Sequence, residues 1–243
     1  IKDGYDTKLS AFEVLLPALI ANFEKDAQAQ EPKFKDLEAP IQVLKNWNYY
    51  SNVNSVATTL ANEWAFKLNP ILQKVYIDEG EKDQVENMSE FAKTAGIDDM
   101  LPQLREVIQE LQTKFGKWEI PWGDINRFQR PSGDIDLTYD DNKESLAMGT
   151  ASVLWGSLPA FKSSYQNNSK KRYGYNGNSF ICAVEFGPKI KAKSLLAGGN
   201  SGDPNSKHFF DQAKMYQNAQ FKDVLFYKED VQKNAEKTYH PGE

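Results

Sequence analysis

The stretch that decides the fold of this 243-residue chain runs from Ala197 to Gln212 and reads AGGNSGDPNSKHFFDQ. Glycine, asparagine and proline are the residues that favour tight turns, so its first half predicts a turn. A short helix is predicted to follow over Phe209–Asn218, with Ser206 or Asn205 as its N-cap. The stretch is therefore interpreted as a glycine-rich turn that leads into a helix.

Two features of this turn resemble functional motifs. His208 and Asp211 lie three residues apart, a spacing typical of side chains that cap and staple a helix start, although a catalytic dyad is the alternative. The run Gly198–Gly202 resembles a phosphate-binding loop, but it lacks the Gly-Lys-Ser/Thr ending, and turn chemistry explains it. The loop at Asp140–Glu144 does not match the spacing of calcium-binding loops.

The residues on both sides of the turn predict a small set of strands. Apolar runs predict strands over 179–186 and 189–196 around the turn Gly187-Pro188, and a last strand over 223–227. Cys182 lies in the first of these and is interpreted as a small buried core residue. A terminal helix is predicted over 228–239.

The first half of the chain has the periodicity of amphipathic helices. Apolar residues recur at i, i+3, i+4 and i+7, which predicts helices near 9–23, 41–47, 54–77 and 88–115, the last with a break at Gly96. In the first helix these residues are Leu9, Phe12, Leu15, Leu16, Leu19, Ile20 and Phe23. Pro17 and Pro70 fall inside the predicted helices. Pro17 is expected to mark a kink or a helix start, and Pro70 is expected to bend its helix.

Segregated helices and strands predict an α+β fold. We expect a mainly helical segment over 1–117 and a strand-rich segment with C-terminal helices over 118–243, beginning with a strand at 125–130 and a turn at 131–134. So few strands would make a poor independent sheet, because a small sheet leaves its edges unpaired. The strands are therefore expected to complete a larger sheet that is supplied elsewhere.

Composition excludes several classes of function. The net charge is −5, which argues against a nucleic-acid or anionic-membrane surface, and the basic run Lys170–Arg172 is interpreted as a solvated turn. A single cysteine excludes a disulfide framework within the chain and a cysteine-based zinc site. Two histidines leave little room for a histidine-based metal site. We expect no cofactor and no metal. No window is apolar enough for a membrane span, and residues 1–4 lack the apolar segment of a signal peptide.

Three segments carry a resemblance to the penicillin amidase family, the N-terminal-nucleophile acylases. The first is Trp47 with the helix Ser51–Trp64, although Asn48 stands where the family usually has Asp. The second is Trp122–Pro131, which is similar to the Trp-Gly-Asp-x-x-Arg segment of the acyl-homoserine-lactone and aculeacin acylase branch. The third runs from Gly177 through the glycine-rich turn to Glu243. In this order and spacing they cover essentially the whole chain.

The resemblance implies an αββα sheet sandwich and a precursor that cuts itself into an α and a β subunit. The β subunit begins with a nucleophile, usually serine, whose α-amino group acts as the general base. The resemblance places this chain in the C-terminal part of β, after the nucleophile and the oxyanion donors. Because Ile1 has no nucleophilic atom, the chain alone is expected to be inactive. The expected partners are the N-terminal part of β and the α subunit.

The resemblance also singles out Glu185 as a candidate catalytic residue in a supporting role. Related glutaryl acylases use a glutamate from a late strand to orient a histidine near the nucleophile, and Glu185 matches that position. A salt bridge or an edge position is the alternative. Arg127 and Asp124 are expected to form structural ion pairs, with each other or with the part of the enzyme outside this chain.

The function implied by the resemblance is hydrolysis of a linear amide by the complete enzyme. The substrate class is a penicillin, in antibiotic metabolism, or an N-acyl-homoserine lactone, in quorum quenching. The expected location is the periplasm or the medium. The alternatives are a non-catalytic binding or scaffold module that reuses the fold, and an unrelated α+β enzyme with a carboxylate-based site.

Overall fold

The computed structural model describes residues 1–79, 83–132, 138–166, 168–240 and 242. For residues 73–79 it describes the backbone and not the side chains. The described chain divides into two compact units. The first unit lies within Lys2–Pro131 and Asp136–Gly177, and the second lies mainly within Asn178–Glu243. Each unit is described separately.

Helices make up most of the first unit. In chain order they are α1 (Phe12–Ala27), α2 (Glu38–Lys45), α3 (Val56–Glu79), α4 (Gln84–Thr94), α5 (Ile97–Phe115) and the single turn α6 (Trp122–Ile125). Short 3-10 turns lie at Asp3–Tyr5, Lys35–Leu37 and Val153–Trp155.

The helix ends follow local capping rules. The Asp83 side chain accepts hydrogen bonds from the backbone N–H groups of Val85 and Glu86 and so starts α4. At the predicted break, the Gly96 N–H donates to the Asp99 carboxylate at 2.8 Å and α5 begins. Gly116 ends α5 in the left-handed conformation (φ +78°), which glycine adopts without a Cβ clash.

The core of the first unit lies among these helices. The predicted apolar face of α1 is buried, and it packs with residues of α2, α3, α4 and α5. Trp64, Trp122 and Trp155 are large fully buried side chains. Large buried aromatic groups of this kind supply much of the apolar surface that stabilises a domain.

A four-stranded sheet completes the first unit. Its strands, in the order β2-β1-β4-β3, are β1 (Asn126–Phe128), β2 (Leu146–Ala147), β3 (Phe161–Tyr165) and β4 (Arg172–Gly177). β1 runs parallel to β4, and the other two pairs are antiparallel. The register of β3 against β4 shifts between Lys162 and Ser163.

The second unit contains a three-stranded antiparallel sheet. The order is β5-β6-β7, with β5 at Phe180–Glu185, β6 at Lys191–Leu196 and β7 at Lys222–Asp223. The helix α7 (Ala213–Gln217) packs against β6, where Leu195 is buried, and the helix α8 (Lys228–Lys233) follows β7.

Many sequence predictions hold. The mixture of helix and sheet is confirmed, as are the helices of the first half, the break at Gly96 and the two strands around Gly187-Pro188. Pro17 and Pro70 lie inside their helices. Some of the predicted segments lie partly outside the described residues: positions 133 and 134 of the predicted turn, the side chains of 73–77 in the predicted helix, and positions 241 and 243 at the end of the third resembling segment.

Other predictions are wrong. β3 and β4, at Phe161–Tyr165 and Arg172–Gly177, were not predicted from the sequence. The helix expected from Phe209 begins at Ala213, because the preceding residues form hydrogen-bonded turns. The expected last strand and helix are shorter than predicted. Cys182 is exposed and not a core residue, since its face of β5 is open to solvent.

A buried ion pair joins the helices of the first unit to its sheet. Arg172 on β4 contacts the Glu63 carboxylate on α3 at 3.2 Å, and both side chains are less than 10% exposed. Its guanidinium lies 4.2 Å from the Phe66 ring and 4.9 Å from the Tyr165 ring, and it also donates to the Ser163 carbonyl at 2.8 Å. Burial, with Glu63 adding to it, raises the pKa of Tyr165 well above its usual value.

We predict that Glu63→Gln destabilises the chain by about 3 kcal/mol, because it leaves the Arg172 charge buried without its counter-charge. The measurement is the free energy of urea unfolding. The matched control is Glu24→Gln, which breaks the exposed pair with Lys45 at 2.7 Å and is expected to cost at most ~0.5 kcal/mol. Equal losses in the two variants would contradict the prediction.

Candidate functional site

The Trp122–Arg127 segment is built where a loop, a helical turn and a strand meet. The backbone N–H groups of Trp122 and Gly123 donate to the carbonyls of Ser55 and Val53, at 3.1 and 2.8 Å. A Cβ on Gly123 would lie 2.8 Å from the Val53 Cβ and 3.0 Å from the Ala147 Cβ. Only glycine allows this close approach of the two backbones.

The side-chain amide of Asn126 makes its hydrogen bonds inside the protein. It is fully buried, and its Nδ2 donates to the carbonyls of Met148 and Thr150, both at 2.9 Å. Its Oδ1 accepts from the Ser163 hydroxyl at 2.7 Å, so it joins the start of β1 to β3. Trp122 donates to the same Thr150 carbonyl at 3.2 Å. The motif thus holds the 148–150 backbone in place.

Arg127 is held in the same way, and not by the predicted ion pair. Its Nε donates to the Ser145 hydroxyl at 3.0 Å, its Nη1 to the Gly123 carbonyl at 2.8 Å, and its Nη2 to the Ser145 carbonyl. Burial lowers its pKa, although the neighbouring Asp124 acts in the opposite direction. Asp124 is exposed. Neutral oxygens therefore hold the arginine in place.

The first resembling segment also has a structural role. The Trp47 indole donates to the Tyr50 carbonyl at 3.0 Å, and the Trp64 indole donates to the Met100 carbonyl at 3.1 Å. Asn48 accepts from the Tyr50 N–H at 3.1 Å through its side-chain oxygen. An aspartate oxygen accepts the same bond, so the departure at Asn48 leaves this turn intact.

Glu185, the candidate catalytic residue, lies at the end of β5 and opposite Lys191 of β6. Its side chain is 73% exposed, and its carboxylate lies 3.9 Å from the Lys191 ammonium. An exposed pair at this distance contributes little to stability. In the described part of the chain, this places Glu185 on an open sheet edge, and its supporting role in catalysis stays a prediction.

The glycine-rich turn is closed by its own backbone. The Gln212 N–H donates to the Gly198 carbonyl at 2.8 Å, and the Ser201 N–H to the His208 carbonyl at 3.1 Å. The His208 Nδ1 lies 2.8 Å from the Asp211 carboxylate, and this hydrogen bond is the main reason why the pKa of Asp211 is lowered. The two side chains make contact, as expected, but within the turn and before the start of α7.

The pair of Glu63 and Arg172 was not predicted from the sequence. A usable signal existed, because Glu63 stands at i+3 from Leu60 and at i+7 from Val56, on the apolar stripe of α3. A carboxylate on such a stripe needs a buried partner.

Among the described residues, no group of acidic, histidine or cysteine side chains could hold a metal ion. No described helix has the length and apolar character needed to cross a membrane.

Comparison with known proteins assigns the chain to a family. A family model of penicillin amidase matches residues 4–233, so the chain belongs to the penicillin amidase family of amide hydrolases. Among solved structures it is similar to a thermostable penicillin G acylase from Alcaligenes faecalis, with 15% sequence identity and a TM-score of 0.44. The match covers 97% of this chain and 47% of the solved chain, so this chain spans about half the length of that structure.

We predict that Gly123→Ala destabilises the chain by about 1–3 kcal/mol, because its methyl group must displace Val53 or Ala147. The measurement is urea unfolding followed by tryptophan fluorescence. Gly202→Ala is the control, since a Cβ there meets nothing within 4 Å and is expected to change stability by at most ~0.5 kcal/mol. An unchanged stability of Gly123→Ala would show that the two backbones can separate at no cost.

Proposed function

We propose that this chain is the C-terminal part of the β subunit of a penicillin amidase-like acylase. In the complete enzyme it helps to form the αββα sandwich that hydrolyses a linear amide. The observation that carries the proposal is the family match, which extends over residues 4–233. The substrate class is a penicillin or an N-acyl-homoserine lactone, and the enzyme acts in the periplasm or in the medium.

In this proposal the reacting groups belong to the part of the enzyme outside this chain. The nucleophile is the first residue of the β subunit, with its own α-amino group as the base. Residues here act as its scaffold. This assignment is supported by Asn126 and Arg127, whose polar atoms bind backbone groups and a serine hydroxyl.

The surface of the second unit supports the existence of partner segments. Large apolar side chains that are exposed in numbers on one compact unit can mark a surface that another segment covers. Those exposed in this unit are Phe180, Val184, Phe186, Val224, Leu225, Phe226, Val231 and Tyr239. We infer that the N-terminal part of β and the α subunit cover part of this surface in the complete enzyme.

The proposal predicts that the complete gene product hydrolyses amides and that the 243-residue chain does not. Both proteins are incubated with penicillin G and with a set of N-acyl-homoserine lactones, and the released amine or acid is measured by mass spectrometry. The complete enzyme is expected to act on at least one class. Intact-mass analysis of its β subunit is expected to show a chain that begins with serine and contains residues 1–243.

Two outcomes would contradict this proposal. Hydrolysis by the 243-residue chain would place the nucleophile within it and favour an unrelated α+β enzyme. A complete gene product that folds but cleaves none of these amides would favour a binding or scaffold module. Fractionation of the source cells tests the proposed location.

Glu185 is tested in the complete enzyme. If it orients a histidine near the nucleophile, Glu185→Gln is expected to lower kcat by at least about tenfold and leave KM unchanged, because only the transition state loses an interaction. The control is Asp223→Asn, which removes another exposed carboxylate of the same sheet, paired with Lys193 at 2.8 Å. Equal kcat values in both variants would show that Glu185 forms an exposed ion pair and nothing more.

A further inference from the structure

The strand β4 ends on an asparagine that is followed by a glycine. Asn176 and Gly177 are its last two residues, and they form the only Asn-Gly pair in the sequence. The backbone nitrogen of the residue after an asparagine can attack the side-chain carbonyl, which closes a five-membered succinimide ring. The attack is favoured because the two groups are already joined in one chain, and glycine obstructs it least because it has no Cβ.

The packing of β4 requires glycine at position 177. Gly177 has a φ of +153°, and a Cβ there would lie 2.3 Å from the Ala160 carbonyl oxygen. Glycine alone adopts such a conformation without strain and leaves room for this close approach. A larger residue that would slow ring closure therefore does not fit at this position unless the backbone at Ala160 moves. The fold itself keeps the most reactive neighbour beside Asn176.

The strand pairing is interrupted next to Asn176. Asn176 is exposed and pairs with Lys162 of β3, whereas the next pair joins Ser163 to Gly174. Tyr175 is thus an extra residue in β4, and an extra residue disrupts the ladder of hydrogen bonds locally. Strand ends that pair in this way open more readily than the middle of a sheet. We therefore expect the backbone at Asn176 to reach the geometry that ring closure needs.

Asn205 in the glycine-rich turn is a matched reference, because it is also exposed but is held in place. Its Nδ2 donates to the Asp203 carboxylate at 3.2 Å. The next residue is Ser206, which has a Cβ, and its N–H donates to the Asp203 carbonyl at 3.0 Å. The side-chain amide and the attacking nitrogen are both engaged here, so slow reaction is expected at Asn205.

We propose that Asn176 is a site of spontaneous deamidation in the folded protein. The Gly177 nitrogen loses its proton and attacks the Asn176 Cγ. A C–N bond forms, the Cγ–Nδ2 bond breaks, and ammonia leaves. Water then opens the succinimide at either carbonyl and produces aspartate or isoaspartate. The reaction needs no other reactant, and the proposal does not depend on the acylase assignment.

Both products change the end of β4. A carboxylate at position 176 adds a negative charge opposite Lys162, so the aspartate form is expected to make a cross-strand ion pair. The isoaspartate form also adds a methylene group to the main chain, just before the first unit ends at Gly177. Because Gly177 is packed against Ala160, this form is expected to lose the pairing of Gly177 with Phe161.

The first test is incubation of the folded, complete gene product at mildly alkaline pH, followed by peptide mapping. Fragment spectra assign the mass gain of deamidation to Asn176 or to the nearby Asn178, and they separate isoaspartate from aspartate. Deamidation at Asn176 is expected to be at least about tenfold faster than at Asn205, with isoaspartate among the products. Reaction at Asn176 only after unfolding in urea, or aspartate without isoaspartate, would overturn the proposal.

Two substitutions complete the test. Asn176→Gln keeps the amide but requires a larger ring that closes slowly, so the mass gain in this peptide is expected to disappear, and a gain that persists would overturn the assignment. Asn176→Asp supplies the aspartate product alone and is the matched control for isoaspartate. Hydrogen exchange over 161–165 is expected to be at least about fivefold faster in the isoaspartate fraction than in Asn176→Asp. Equal exchange would overturn the predicted loss of pairing.

Discussion

The ion pair between Glu63 and Arg172 is the contact on which the first unit depends. It joins α3 to β4 through two charges that have lost most of their water, which is costly unless each charge is satisfied. Phe66 and Tyr165 lie close to the guanidinium, and Ser163 accepts one of its N–H groups. Through Arg172, the pairing of β3 with β4 is therefore connected to the contact of β4 with α3.

Membership of the penicillin amidase family gives a reason for the contacts that hold the Trp122–Arg127 segment in place. The Trp122–Arg127 segment is one of those that resemble the family, and it fixes the backbone at several points. Trp122 and Gly123 bind the loop before α3, Asn126 binds the 148–150 backbone and Ser163 of β3, and Arg127 binds Ser145. Catalysis by an N-terminal nucleophile needs a rigid frame, since reacting groups must be held within a fraction of an ångström. In our proposal this chain supplies part of that frame, and the reacting atoms lie outside it.

Sequence reasoning succeeded where local rules decide the structure. The helices of the first half were predictable because their apolar period of 3.6 residues also forms the core. Gly96 begins α5 as its N-cap, and Gly116 ends α5 in the left-handed conformation. β3 and β4 were not predicted because they contain serine, glycine and asparagine, which are not typical strand residues, and it is tertiary pairing that makes them strands. The open face around Cys182 was missed because an apolar strand has the same sequence whether or not a neighbour covers it.

The backbone role of the Trp122–Arg127 segment changes what its presence in a sequence means. The side chains of Asn126 and Arg127 donate hydrogen bonds to backbone carbonyls. Replacing these side chains would therefore destabilise the fold whether or not the enzyme is active. A relative that had lost its nucleophile would still need Trp122, Asn126 and Arg127 to hold the fold. The segment therefore records common ancestry and reports nothing about turnover, and an inactive descendant of this family would still be recognised by it.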